Sequence, residues 1–455
     1  MTLSDFTWQL DGWIICAGVL CAISAAMLGS FLVLRRMSLL GDAISHAVLP
    51  GLAAAFLFSG SRSSGMMFIG AVVIGVLTAL LTDFIHRRGT VDEGAAMGVV
   101  FTTLFATGLV MIVVAADRVE LDPDCVLYGA IERTPLDQVT LSLPGGIAWQ
   151  MPRVVWMLAG VLLLNLIFTV VFFKELKLST FDPALGDAIG FSSTWMHYAL
   201  MTLVAITAVA SFESVGNILV VAMFVVPPAA ASLLTNRLAS LIVLACLMGA
   251  VAAITGHIAA VSIPKWFGFD STTTAGMMAV MAGLLFAMAL LLAPRNGLLP
   301  RLARRWWLSW TILSDDVLSL LYRIEERPNQ RRFIHPNEAR DGESDSIDWI
   351  ADMLLTTRRA TQCALRWHAF RGKVVAETPG QLPALTAVGR SEATSLVRSH
   401  RLWEQYLMTQ GDASDNQVHG TAHRLEHFTD SKLQAELNQQ TDSPNVDPHG
   451  SEIPQ

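Results

Sequence analysis

Two groups of side chains in this sequence could do coordination chemistry. The first lies in "LLGDAISHAVLPG" (39–51), where Asp42 and His46 stand four residues apart inside an otherwise apolar stretch. On a helix, residues so spaced share a face and lie about 6 Å apart along the axis. An ionisable group inside a membrane costs several kcal/mol unless it is paired or faces water. A carboxylate oxygen beside an imidazole nitrogen suits Mn²⁺, Fe²⁺ or Zn²⁺. An Asp–His hydrogen bond stapling two helices would satisfy the same residues. The second group lies near the C-terminal end. His419, His423, Glu426 and His427 follow the spacing i, i+4, i+7, i+8, which reads as one helical face, and His400 and Glu404 repeat the i, i+4 step. Seven of the eleven histidines lie after residue 299. Antiparallel packing of the two helices would join the sets, and nitrogen and oxygen donors without thiolate favour Mn, Fe or Zn. A solvated polar face is the alternative. Ligating imidazoles must be neutral, so binding is expected to weaken below about pH 6.5.

The elements that must position these groups are of two kinds. The chain has 455 residues, 53% of them hydrophobic. Residues 1–299 carry 30 charged side chains, whereas the 156 residues after them carry 39. That contrast predicts a membrane domain over 1–299, an interfacial linker and the start of a second domain over 300–345, and a charged aqueous domain over 346–455. A helix needs about 20 apolar residues to cross the hydrocarbon. Nine stretches qualify: 12–34, 39–59, 66–86, 95–116, 153–173, 195–212, 217–234, 238–258 and 273–293. The pair 195–212 and 217–234 is short, and reads as two full spans or as one helix broken at "SFESVGN". Arg35, Arg36, Arg87, Arg88, Lys174, Lys177, Arg237, Arg301, Arg304 and Arg305 fall on one side, which makes that side cytoplasmic. The N-terminus is then outside and the charged domain inside. The segment before the first span has no basic residue, which argues against a cleaved signal peptide. The five cysteines have no CxxC spacing and imply no disulfide framework. "PRLARRWWLSW" reads as an interfacial flank, and His257, at the outer end of its span, as a polar boundary residue.

No GxxxxGK[ST] loop is present, so the chain is expected to bind no nucleotide of its own. Nor is there an HExxH or GxSxG signature of an intramembrane hydrolase. Beyond 310, helical patterns run through "SDDVLSLLYRIEER", then two helices in "SIDWIADMLLTTRRATQCALRWHAFRGKVV", then one each in "LTAVGRSEATSLVRSHRLWEQYLM" and "DNQVHGTAHRLEHFTDSKLQAELNQ". Arg358, Arg359 and Arg366 make the second of these basic, either as a phosphate-gripping face or as a solvated one.

The passage "LRRMSLLGDAISHAVLPGLAAAFLF" resembles the permease subunits of metal ABC importers, the zinc/manganese/iron family called ABC-3. "TFDPALGDAIGF", "SFESVGNILVVAMFVVPPAAASLLTNRL" and "FGFDSTTTAGMMAVMAGLLFAMALLLAPRNGLL" are similar to that family's later segments, so the resemblance covers nearly all of 10–300. It implies an all-α polytopic membrane fold. It implies that Asp42 and His46 are the transmembrane metal site, with Glu213 a candidate helper or else a polar turn residue. It implies that Asp182, Pro183, Ala184, Leu185, Gly186 and Gly190 belong to the coupling segment that docks into a separate ABC ATP-binding subunit. An extracytoplasmic metal-binding protein and a second permease copy, or a homologous permease, are the other partners implied, in the inner (plasma) membrane.

"LTAVGRSEATSLVRSHRLWEQYL", "VHGTAHRLEHFTD" and "SPNVDPHGSEIP" resemble the metal-binding and dimerisation domain of diphtheria-toxin-repressor and manganese-repressor proteins, across roughly 385–454. That implies a mostly helical, winged-helix, repressor-like domain. Asp316, Glu426 and His427 match primary ligands, His400 matches a ligand, and Glu404 and His419 match an additional site. His423 stands where relatives have Glu or Cys, and Ser319 where manganese-type members have Glu. Membrane anchoring argues against DNA as a partner. The reading is a permease of a Mn/Zn/Fe importer with a metal-sensing tail; the alternative is a membrane-anchored, metal-responsive transcriptional regulator.

Overall fold

A computed structural model describes residues 8–37, 40–59, 64–89, 91–116, 131–142, 148–269, 272–294, 297–326, 346–375, 382–410, 415–442 and 444–454. The loop "DRVELDPDC", the charged break after 326 and the tip between 375 and 382 lie outside them. The chain divides into two compact units, Met1–Arg301 and Leu302–Gln455.

The first unit is helical because its sequence is apolar on every face over membrane-length runs. Its helices are α1 (Trp8–Leu34), α2 (Leu40–Ala47), α3 (Leu49–Ser59), α4 (Ser64–Gly89), α5 (Glu93–Ala116), α6 (Arg153–Val171), α7 (Phe173–Phe181), α8 (Pro183–Ala188), α9 (Ser193–Val215), α10 (Asn217–Leu234), α11 (Leu238–Ser262) and α12 (Thr274–Leu292). Among the described residues, nine segments are long and apolar enough to cross a membrane, with α2 and α3 together forming the second. The short pair resolves as two separate helices, α9 and α10, parted by Gly216 at φ 95°, a backbone setting that disfavours any side chain. A hairpin of β1 (Gln138–Ser142) and β2 (Ala148–Pro152) precedes α6, with Gln138 paired to Pro152.

α1 is the hub of one layer, packed on α6, α10 and α11, while α3, α4 and α5 form another. α2 lies where the two meet, against α4, α5, α9 and α10. Gly51 of α3 and Gly70 of α4 bring their backbones together; a methyl at Gly51 would sit 2.3 Å from the Gly70 carbonyl oxygen. Close backbone approach of small residues is how membrane helices gain packing that lipid cannot supply.

The second unit contains α13 (Leu298–Glu326), α14 (Ser346–Met353), α15 (Arg358–Phe370), α16 (Ala387–Gln410), α17 (Asp415–Glu426) and α18 (Ser431–Gln440). Val317, Leu321, Ile350, Leu365, Val374 and Leu385 share one core. An antiparallel bridge between Val374 and Leu385 follows α15, completing a winged-helix order of three helices and a hairpin. The stretch "DNQVHGTAHRLEHFTDSKLQAELNQ", read as one helix, is two. Asp430 accepts a hydrogen bond from the Leu433 amide at 2.8 Å and starts α18 afresh, so His427 sits in the turn after α17.

Candidate metal centres

Asp42 is in the first turn of α2 and His46 in its last. Pro50 has no amide hydrogen, and the helix breaks at Val48 just beyond. Leu40, Gly41, Ala43, Ile44, Ser45 and Ala47 are buried, which leaves Asp42 and His46 on the partly open face. His46 Nε2 and Asp42 Oδ1 are 3.4 Å apart, and the side chains are 32% and 43% exposed. Phe101 and Phe105 flank the imidazole, with ring centroids at 6.1 and 6.2 Å. The Asn217 side chain hydrogen-bonds Asp42, and its Oδ1 is buried with no hydrogen-bond partner among the described residues. An orphan acceptor beside a carboxylate–imidazole pair is a third oxygen for a cation. Glu213, the residue singled out from sequence, lies in the last turn of α9 with its side chain outside the described set. Asn217 was missed, although a carboxamide opening an apolar helix directly after Gly216 was a legible signal.

His257 departs from expectation. It lies near the end of α11, as read, but is packed inside the protein at 2% exposed, its Nε2 3.1 Å from Asp11 Oδ1 and its Nδ1 3.5 Å from Thr274 Oγ1. Its partners come from α1 and α12, distant in sequence, so no local pattern announced them.

In the segment expected to couple to the ATP-binding subunit, Pro183 takes the first position of α8 and Asp182 caps it, accepting from the Leu185 amide at 3.0 Å. Gly190, at φ 95°, turns the chain toward α9, and Asp187 accepts from the Ser193 amide and hydroxyl at 2.8 and 2.9 Å. Ala184 is exposed and Gly186 buried. Phe181, Leu185, Ile189 and Phe191 are exposed. Apolar side chains outside the spans, on a short capped helix, form a surface suited to a protein partner.

In the second unit the ligand-type residues gather as two groups rather than one face: Asp316, His423, Glu426 and His427, and separately His400, Glu404 and His419. The reason is length. Residues eight apart on a helix are separated by about 12 Å, too far for one ion. His400, paired with Glu404 by its spacing, contacts both groups. Its Nε2 is 3.1 Å from Glu404 Oε1 and 3.3 Å from His419 Nδ1. Its Nδ1 lies 2.8 Å from Glu426 Oε2, without the alignment of a hydrogen bond. Those two atoms and His427 Nε2 are buried polar atoms with no hydrogen bond. Buried polar atoms left unsatisfied call for an explanation, and a bound metal ion would supply one. His427 Nε2 is 3.4 Å from Asp316 Oδ1 and 3.6 Å from Glu426 Oε1.

Two contributors escaped the sequence reading. His427 Nδ1 is 3.2 Å from Asp315 Oδ2, so the Nδ1–H donates to the carboxylate and the Nε2 lone pair is left toward the site. His449 Nε2 lies 3.8 Å from Glu404 Oε1. Asp315 was hidden by its neighbour Asp316, and His449 by sequence distance. Ser319 Oγ is buried and unsatisfied in the same helix, α13.

The charge state follows from these contacts. Burial pushes Glu404 and Glu426 up, but the close contact and charge of His400, joined by His419 and His423 respectively, outweigh it and hold each at about 2. Burial pushes His400 down, yet Glu404 and Glu426 raise it above its ordinary value. His423 is raised chiefly by its hydrogen bond to Glu426. Burial raises Asp316. Arg401, 5% exposed, grips Glu326 of α13 through both guanidinium nitrogens and braces the cluster from behind.

The ABC 3 transport family matches residues 10–293. The iron dependent repressor, metal binding and dimerisation domain matches 386–455. The manganese transport system membrane protein MntD of Bacillus subtilis is 43% identical over 297 residues, 65% of this chain and 96% of that protein. The zinc transport system membrane protein TroD of Treponema pallidum is 38% identical over 384 residues, 84% of this chain and 97% of that protein, so its likeness runs on past the membrane unit. The solved structure of PsaBC from Streptococcus pneumoniae in complex with Fab matches with a TM-score of 0.50 and 30% identity, over 63% of this chain and 92% of that chain. The chain therefore belongs to the ABC 3 transport family, as a membrane permease subunit rather than an enzyme, and carries a repressor-type metal-binding domain at its C-terminal end.

Proposed function

We propose that this chain is the transmembrane permease subunit of an ATP-driven importer of a divalent transition-metal ion, manganese, zinc or iron, with a cytoplasmic metal-sensing tail. The observation that carries the reading is Asp42 and His46 on the open face of α2, with their donor atoms 3.4 Å apart and the orphan Asn217 Oδ1 beside Asp42. Bonds of about 2.0–2.1 Å to one ion place its ligands about 3.0–3.4 Å apart. Two protein donors helped by Asn217, and by Glu213 where it reaches, hold a cation weakly enough to let it go. An extracytoplasmic binding protein delivers the ion, and hydrolysis in a separate ATP-binding subunit, docked at Asp182–Gly190, turns the pathway inward. A second permease copy, or a homologous permease, completes the pore.

The membrane domain is assigned to 1–299, the linker and the start of the tail domain to 300–345 and the rest of the tail to 346–455, with the N-terminus outside. In the tail, Asp316, His423, Glu426 and His427 would hold one cation and His400, Glu404 and His419 a second. A cation held there neutralises the clustered carboxylates, while Asp315 keeps His427 in the ligating tautomer.

The test is uptake by vesicles containing this chain and its ATP-binding subunit, with Mn²⁺, Zn²⁺ and Fe²⁺ in competition. Asp42→Asn and His46→Ala should each abolish uptake while the subunits still co-purify; uptake at the normal rate in both would overturn the assignment. One observation favours the second reading, a membrane-anchored regulator: Arg359 and Arg366 are exposed on α15, the helix that precedes the hairpin. Manganese-dependent retardation of duplex DNA by the full chain would support it.

A further inference from the structure

A second aspartate–histidine pair lies in the membrane unit, away from Asp42 and His46. Asp83 of α4 and His197 of α9 are 8% and 14% exposed, and His197 Nε2 is 3.4 Å from Asp83 Oδ1, the same separation as in the first pair. Tyr198 donates its hydroxyl to Asp83 Oδ2 at 2.7 Å. The pair opens on a cavity of about 330 Å³ lined by Met37, Leu40, Thr82, Asp83, His86 and His197. Leu40 is the first residue of α2, two before Asp42, so the cavity adjoins the basic end of the metal-bearing helix. His86 is a turn beyond Asp83 on α4. Its Nδ1 donates to the Val91 carbonyl at 2.8 Å, which leaves the Nε2 lone pair available.

Arg35 closes this group. Its guanidinium donates to Ser179 Oγ at 2.8 Å and to Thr180 Oγ1 at 3.1 Å, at the end of α7 just before the coupling segment. A third nitrogen is 3.2 Å from His197 Nδ1. Guanidinium only donates, so His197 Nδ1 must accept and the ring proton must sit on Nε2, toward Asp83. A cation ligated at Nε2 would need that lone pair. The proton would then move to Nδ1 and face the Arg35 N–H, donor against donor. Cation binding and the Arg35 contact are mutually exclusive.

We propose that Asp83, His197 and His86 form an exit-side station for the divalent cation, and that Arg35 is a latch joining this station to the coupling segment and excluding the cation while it is closed. The proposal rests on the transport reading above. A cation leaving Asp42 and His46 meets oxygen and nitrogen donors of the same kind at the cytoplasmic end of α2. Movement of α7 and α8 by the ATP-binding subunit pulls Arg35 from His197 and opens the station. Once the ion has gone, the return of Arg35 to Nδ1 places the ring proton back on Nε2 of His197.

The test counts bound Mn²⁺ by loss of the free-ion electron paramagnetic resonance signal, in the full chain carrying Asp42→Asn and His46→Ala. The tail sites are common to every sample, and the translocation pair is absent from all, so failure here leaves the Asp42–His46 assignment standing. Arg35→Gln can turn its carbonyl oxygen to a protonated Nδ1, and should add one Mn²⁺ per chain, at least about tenfold tighter than in the parent. Arg35→Lys keeps a donor and should add none. Asp83→Asn placed on Arg35→Gln should abolish the gain. No gain with Arg35→Gln, an equal gain with Arg35→Lys, or a gain that survives Asp83→Asn each overturns the proposal. An independent arm uses the complete complex in vesicles, where Asp83→Asn alone should cut Mn²⁺ uptake at least about tenfold; undiminished uptake overturns the station.

Discussion

The membrane pair and the tail cluster use the same chemistry and are built differently. Asp42 and His46 come from one turn of one helix, remain 43% and 32% exposed, and draw on a single carboxamide from elsewhere. In the tail, His400, Glu404 and Glu426 are 2–3% exposed and come from two helices, and the neighbouring His427 meets Asp315 and Asp316 from a third. Few donors and open access favour exchange. Many donors, burial and an oriented imidazole favour retention. The membrane pair is thus the more open of the two groups and the tail cluster the more enclosed.

Removing ligands should break the contrast most visibly. Asp42→Asn should abolish uptake, whereas His427→Ala combined with Glu426→Gln should leave Asp42-dependent transport in place and remove one of the two Mn²⁺ ions bound by the tail, read by calorimetry on both variants. Loss of all transport in the tail variant would erase the division of labour. Asp315→Asn comes next: it leaves every ligand in place but frees the tautomer of His427, and should weaken tail binding by about 10–100-fold.

The pH dependence sharpens the same point. The tail imidazoles His400 and His423 are raised above the ordinary 6.5, so they hold protons that a metal must displace. Affinity should rise with pH through their raised values, by up to about tenfold per unit for each proton displaced. In chelator the sign reverses. Stabilisation by the depressed carboxyls is present above their ordinary value near 4.5 and lost as pH falls toward 2. Stabilisation by the raised imidazoles is present below 6.5 and lost as pH rises through their folded values. Protection against hydrogen exchange in the tail of the chelated protein, relative to the intrinsic rate at each pH, should therefore be greatest between about pH 4.5 and 6.5. The smallest effect belongs to the membrane pair: Asn217→Ala removes one hydrogen bond worth about 1 kcal/mol and should weaken half-saturation of uptake by roughly fivefold.

The spans were legible because lipid imposes one rule on the whole sequence: about 20 apolar residues with every backbone group satisfied internally. The break between α9 and α10 was ambiguous because its cause is the backbone setting of one residue, Gly216. In the tail, helical spacing identified His419, His423 and Glu426 correctly as neighbours. It could not see that Asp430 ends the pattern, or that His419 turns to His400 while His423 turns to Asp316. Periodicity reports which residues share a face, not which ion-sized space each donor reaches.

By itself the sequence determined the nine apolar runs, the charged tail, and Asp42 with His46 on one turn, because hydropathy and i, i+4 spacing are local properties. Only the tertiary structure decided the rest. It set Asn217 beside Asp42, Asp315 behind His427, Asp11 against His257, and Asp83 across from His197 with Arg35 between that pair and Ser179 of α7. These partners lie on separate helices, up to 246 residues apart. Helix packing, which joins surfaces without regard to sequence distance, is what brings them within reach.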